Sequence, residues 1–217
     1  MGDSDIEVRE AAAESLGRIP SSHALNALTS GMKNKDLFVR IASAKALGLM
    51  GHPKAISLII KEMENDNFYA RRNATRALGS IGDARAVAPL LDLLEQHLAS
   101  EGYDPDLAGI VKALGEIGDA RAAGPLEDLL ASCSTYNNYH LNIIDVAQAF
   151  ACCATPQAAA DTLAGVLTVP GIEKAAAVVL GKIGDKRAVN PLMSLLTTNE
   201  ALPYYLSQFN VPLSNSR

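Results

Sequence analysis

A Leu-Gly pair recurs along this chain at Leu16-Gly17, Leu47-Gly48, Leu78-Gly79, Leu114-Gly115 and Leu180-Gly181, with Phe150-Ala151 filling the one gap. The leucine-slot spacings are 31, 31, 36, 36 and 30 residues. A second motif follows three of the pairs: Gly82-Asp83-Ala84-Arg85-Ala86, Gly118-Asp119-Ala120-Arg121-Ala122 and Gly184-Asp185-Lys186-Arg187-Ala188. Arg9, Arg40 and Arg71 each stand seven residues before a leucine of the pair. A fixed period of this length is the signature of a repeat architecture, in which no unit buries its own apolar faces and stacking does so instead.

Each unit reads as two short helices. The first is of the type Ala86–Glu95, the second of the type Ala70–Ile81. In the second, Ala70, Ala74, Ala77, Leu78 and Ile81 form an apolar stripe at helical period. Asp5, Asp36 and Asn67 are placed to cap the second helices, as is Asp104 with Pro105 at the first helical position. Gly82, Gly118 and Gly184 suit the left-handed conformation that ends a helix, and the following Asp suits the cap of the next. Pro89, Pro125 and Pro191 are expected to kink the first helices. The glycine of each Leu-Gly pair is expected to let neighbouring helices approach closely.

The fold predicted is all-α: a right-handed α-solenoid of about five to six helix pairs. A single array is expected over 3–198, with 199–217 as a C-terminal extension or cap. The chain opens directly in a second-type helix, Ile6–Ile19. That end therefore reads as an unusual cap, as part of a longer array, or as a face covered by a partner.

Val39-Arg40 and the run Ala77-Leu78-Gly79-Ser80-Ile81-Gly82-Asp83-Ala84-Arg85-Ala86-Val87-Ala88-Pro89-Leu90-Leu91 resemble HEAT repeats of the phycobilisome-lyase (PBS-lyase) type, within the armadillo-like helical folds. This resemblance implies that the second helices line a concave face. By register, the outward pairs are then Glu10/Glu14, Ile41/Lys45, Arg72/Arg76, Ala108/Lys112, Ile144/Gln148 and Lys174/Val178. The middle of that face reads as basic, through Lys45, Arg72, Arg76 and Lys112, flanked by Tyr69 and Tyr103. These six residues are the candidate partner-binding set. A second candidate is the loop bearing Tyr136, Tyr139 and His140, in one of the two insertions that lengthen the spacing to 36.

Composition limits the partners. Nineteen Lys and Arg against 24 Asp and Glu give a net charge of −5, which argues against a general nucleic-acid binder. The basic patch on an acidic chain points instead to another protein, docking through an anionic segment or helix. No apolar run approaches the roughly 20 residues of a membrane span. With three Cys, no disulfide framework and no signal peptide, the chain reads as cytoplasmic.

No catalytic constellation is legible. There is no phosphate loop or nucleophile elbow. His23, His52, His97 and His140 lie at turns or helix ends, none followed by Glu. His23 and His52 fill the slots of Arg85 and Asp83. Cys152 and Cys153 fill the Ser80 and Ile81 slots and read as small packing residues, so no metal site is expected. The function expected is a non-catalytic interaction scaffold or chaperone-like module without cofactor. The alternative comes from the resemblance alone: a subunit of a bilin lyase or a related phycobilisome factor. It implies a bound open-chain tetrapyrrole, with Arg71, Arg72 and Arg76 on its propionates and Tyr69 against a ring.

Overall fold

The computed structural model describes residues 3–99, 105–132, 141–169 and 171–198. Among these residues there are twelve α-helices and no strand: α1 (Asp3–Gly17), α2 (Ser22–Gly31), α3 (Leu37–Leu49), α4 (Pro53–Glu62), α5 (Phe68–Ile81), α6 (Val87–Leu98), α7 (Pro105–Ile117), α8 (Ala123–Ser132), α9 (Ile143–Cys153), α10 (Pro156–Gly165), α11 (Glu173–Ile183) and α12 (Val189–Thr198). Three short 3-10 turns precede α6, α8 and α12.

Two layers result. The second-type helices α1, α3, α5, α7, α9 and α11 pack each against the next and form one continuous layer. The first-type helices α2, α4, α6, α8 and α10 form the other, each packed on its second-type neighbour. The core lies between the layers. It is aliphatic: Leu28, Leu47, Leu78, Leu90, Leu114, Leu126, Leu130 and Leu163 are fully buried. Each such leucine stabilises the fold by roughly 1.5–3 kcal/mol relative to exposure. Alanines fill the crossings, as Ala70, Ala74 and Ala77 do in α5.

Four of the Leu-Gly glycines, Gly17, Gly48, Gly79 and Gly115, sit where second-type helices touch. A Cβ on Gly115 would lie 2.8 Å from the Cα of Ala149, and one on Gly17 would lie 3.3 Å from the Cβ of Ala46. Glycine at these positions sets the separation of successive helices.

The Gly-Asp-x-Arg-Ala motif is a structural joint. Gly82, Gly118 and Gly184 have φ of 72°, 68° and 68°, so each ends its helix in the left-handed region. The carboxylate of Asp119 then accepts the backbone N–H of Arg121 at 2.9 Å and holds that guanidinium through Nε at 2.8 Å and Nη2 at 2.9 Å. Asp83 with Arg85, and Asp185 with Arg187, repeat the arrangement. Arg121 also donates to the carbonyl of Ala84 at 2.6 Å and so staples one unit to the preceding one. His52 replaces the Asp in the second unit and caps α4 through its Nδ1.

Two local expectations are corrected. Pro89, Pro125 and Pro191 are the third residues of α6, α8 and α12 and do not lie in helix interiors. A 3-10 turn ends immediately before each of α6, α8 and α12, so each proline falls in a first turn, where its missing N–H has no intrahelical acceptor to lose. Asp36 and Asn67 cap α3 and α5 as expected, but Asp5 lies inside α1, which begins at Asp3.

Candidate partner-binding face

Asn67 starts α5 by accepting the backbone N–H groups of Tyr69 and Ala70 at 2.9 and 3.3 Å. That start sets the direction of every side chain on the helix. Tyr69 is 57% exposed, and its ring meets Phe68 edge-on at 5.5 Å. Arg72 lies one turn further on, exposed, with no hydrogen bond or ion pair among the described residues. These two residues are the open part of the predicted site.

The adjacent Arg71 is committed elsewhere. Its Nε donates to Asp106 in α7 at 2.8 Å, and its Nη1 to the carbonyls of Asn65 and Asp66 at 3.0 and 3.2 Å. Arg40 does the same with Glu62 and the carbonyls of Asn34 and Lys35. Arg9 reaches Asp36, the cap of the next second-type helix. The arginine slot therefore bonds its helix to an acidic side chain of a neighbouring element and, in α3 and α5, to the turn that precedes the helix.

The basic centre expected from the register is largely neutralised. Lys45 donates to Glu14 in α1 at 2.8 Å, and Arg76 donates to Glu10 at 2.6 Å. The Lys45 ammonium, by hydrogen bond and by charge, holds the Glu14 carboxyl below its ordinary value. Lys112 is exposed and faces Glu116 at 3.9 Å. The acidic first unit thus covers two of the four cations that register alone leaves open, Lys45 and Arg76.

The Glu10–Arg76 bond also bears on how the layer curves. Its two helices are separated by α3, and packed helix axes lie about 8–10 Å apart. The two long side chains reach each other over α3, which fits the concave face expected from the repeats. Ile41 is correspondingly buried, at 2% exposure, and does not lie on an open surface. It sits in the helix spanned by that ion pair, and its apolar side chain joins the core.

Tyr103, Tyr136, Tyr139 and His140 lie outside the described residues. Of the cysteine pair, Cys153 is a packing residue whose thiol faces the carbonyl of Leu114 at 3.4 Å. Burial, with the nearby Cys152 and Asp119, pushes that thiol up to about 11. Cys152 is exposed, contrary to its expected packing role, because its slot is the outward Ser80 position. Among the described residues, no three His, Cys, Asp or Glu side chains are grouped to hold a metal ion, and no helix is long and apolar enough to cross a membrane.

The sequence reading missed a pocket of about 180 Å³ lined by Glu14, Gly17, Arg18, Ala46, Leu49 and Met50. The available signal was Leu49, an aliphatic residue in the slot that holds Arg18, Ser80, Glu116, Cys152 and Lys182 in the other units.

Comparison with known proteins accords with this geometry. The family model for HEAT repeats matches residues 1–67, 39–101 and 57–137, and the model for the PBS lyase HEAT-like repeat matches residues 174–198. A search of curated proteins finds no match. Among solved structures, the complex of CpcE and CpcF of phycocyanin lyase from Nostoc sp. PCC7120 is similar, with 25% identity and a TM-score of 0.52, over 87% of this chain and 76% of that one. Repeat models that cover well over half of the sequence, on a structure of stacked helix pairs, place this chain in the HEAT-repeat family.

Proposed function

We propose that this chain is a HEAT-type binding subunit that works with a second protein in bilin attachment to a phycobiliprotein, its concave face serving for binding. The observation that carries this reading is the likeness to a phycocyanin lyase complex over 87% of the chain. The face supports it in a specific way. An open-chain tetrapyrrole carries two propionates, and a free guanidinium beside an exposed ring suits one of them. Arg72 with Tyr69 is such a pair. Arg71 and Arg76 are already bonded to Asp106 and Glu10, so this chain offers one open clamp there. A second clamp from a partner subunit fits an assembly of two chains.

The test is absorption spectroscopy with phycocyanobilin as the probe. Wild-type protein is expected to shift the visible band, alone or with a CpcF-type partner added, and Arg72→Ala to reduce that shift. An unchanged spectrum in both mixtures would leave a protein-binding scaffold without bilin. That second reading is favoured by the ion pairing of Lys45 and Arg76, which leaves less charge for a small dianion.

A further inference from the structure

Arg18 and Leu49 occupy the same repeat slot in successive units, each directly after the glycine of a Leu-Gly pair. In the later units that slot holds Ser80, Glu116, Cys152 and Lys182. Only in the second unit is it a large aliphatic residue, and there the side chain is 55% exposed. Met50 beside it is 44% exposed. Exposed apolar side chains scattered singly need no explanation, but these two line one pocket together with Ala46 and Gly17.

The rim of this pocket is charged on one side. Arg18 is exposed and, like Arg72, has no ion pair among the described residues, whereas Arg9, Arg40, Arg71, Arg76, Arg85, Arg121 and Arg187 all do. Glu14, the pocket's one carboxylate, is already held by Lys45 at 2.8 Å. The free charge offered to a ligand is therefore positive. At about 180 Å³ the pocket is smaller than the roughly 300–1,000 Å³ that encloses a small-molecule ligand. It has room for one anchoring side chain. Pockets that seat a partner's side chain are where protein interfaces concentrate their binding energy.

We infer that the pocket between the C-terminal ends of α1 and α3 is an anchor site for a partner protein, taking an aliphatic side chain against Leu49 and Met50 and a neighbouring carboxylate on Arg18. This site is separate from Arg72 and Tyr69 and does not depend on bilin binding. The partner segment it fits carries a leucine-like residue and an acidic residue on the same side. In an extended chain those are positions i and i+2.

Methyl-detected NMR of the full chain, with Leu and Met methyls labelled, tests this with three capped tripeptides: Leu-Ala-Glu, Leu-Ala-Gln and Ser-Ala-Glu. Leu-Ala-Glu is expected to shift the Leu49 and Met50 signals saturably, with Kd of order millimolar. Leu-Ala-Gln should bind about two- to fivefold more weakly to the wild type and equally to Arg18→Ala, because an exposed ion pair contributes that much. Ser-Ala-Glu, and Leu-Ala-Glu against Leu49→Ser, should give no saturation. The same response to all three peptides, or an acid-over-amide preference that persists in Arg18→Ala, would overturn the assignment. Binding of 4-methylpentanoate at least as tight as that of Leu-Ala-Glu would also overturn it, by giving the site to free small acids. Both positions are exposed, so unchanged thermal melts of the variants are the expected control for folding.

Discussion

The guanidinium of Arg76 in α5 donates to the carboxylate of Glu10 in α1 at 2.6 Å, across 66 residues of chain and over the intervening α3. With Lys45 on Glu14 it makes the acidic first unit a cover for two cations of this face, Lys45 and Arg76. An anionic partner must displace Glu10 and Glu14 to reach them. The double variant Glu10→Gln with Glu14→Gln is therefore expected to raise affinity for an anionic probe such as phycocyanobilin. The gain should shrink with added salt, since exposed charges are screened beyond about 8 Å at physiological ionic strength. Titrations at low and high salt check both points.

Leu78→Ala should destabilise far more than Arg76→Ala. Leu78 is fully buried, and truncating a buried leucine costs roughly 2–5 kcal/mol. Arg76 is 55% exposed on its side chain, and exposed ion pairs contribute about 0–1 kcal/mol. Denaturant midpoints of the two variants give the comparison, and equal shifts would contradict the helical register.

Two glycines in the same slot should respond oppositely to alanine. In Gly115→Ala the new methyl would lie 2.8 Å from the Cα of Ala149, which is backbone and yields only if the helices separate. Overpacking of this kind costs about 1–3 kcal/mol. Gly181 has no such neighbour within 4 Å, so Gly181→Ala should be neutral or stabilise by up to about 1 kcal/mol through helix propensity. Thermal unfolding of both variants measures the difference.

The Asp-Arg joints make stability fall at acid pH. The side-chain hydrogen bonds of Arg121 and Arg187, with their backbone N–H groups, lower Asp119 and Asp185 from 3.8 to about 2. A carboxylate whose folded value lies below its unfolded value contributes fully above the unfolded value. The contribution is then lost as pH falls from about 4 through about 2. Asp119→Asn with Asp185→Asn should therefore flatten the stability profile between those limits, read as the midpoint of urea unfolding at a series of pH values.

The two adjacent cysteines should differ in reactivity. Cys153 is buried, with its thiol raised to about 11, and the reactive form is the thiolate. Cys152 is exposed. Iodoacetamide on the native protein at neutral pH, followed by peptide mass spectrometry, should label Cys152 well before Cys153. Denaturant should remove the distinction.

The repeat, the two helix types and the joints were already legible in the amino-acid order, the joints because they rest on local chemistry and the repeat because its motifs return in one register. A glycine that must be left-handed and an Asp that caps two residues on are visible in a window of a few residues, and the leucine slot that returns every 30 to 36 residues is visible along the line of the chain. The amino-acid order also places Arg40 and Arg71 in one slot of successive units. What that slot does was decided by tertiary structure: Arg71 meets Asp106, 35 residues away, and so joins one unit to the next. The same is true of the charge on the concave face. Register places Lys45 and Arg76 outward, but only the packing of α1, α3 and α5 brings Glu14 onto Lys45 in the adjacent helix and Glu10 onto Arg76 across α3. The proline positions differed for a smaller reason, a 3-10 turn that shifts the helix start. The pocket beside Leu49 and Arg18 needed both levels: the sequence marks Leu49 as out of keeping with its slot, and the packing of α1 against α3 makes that departure a cavity.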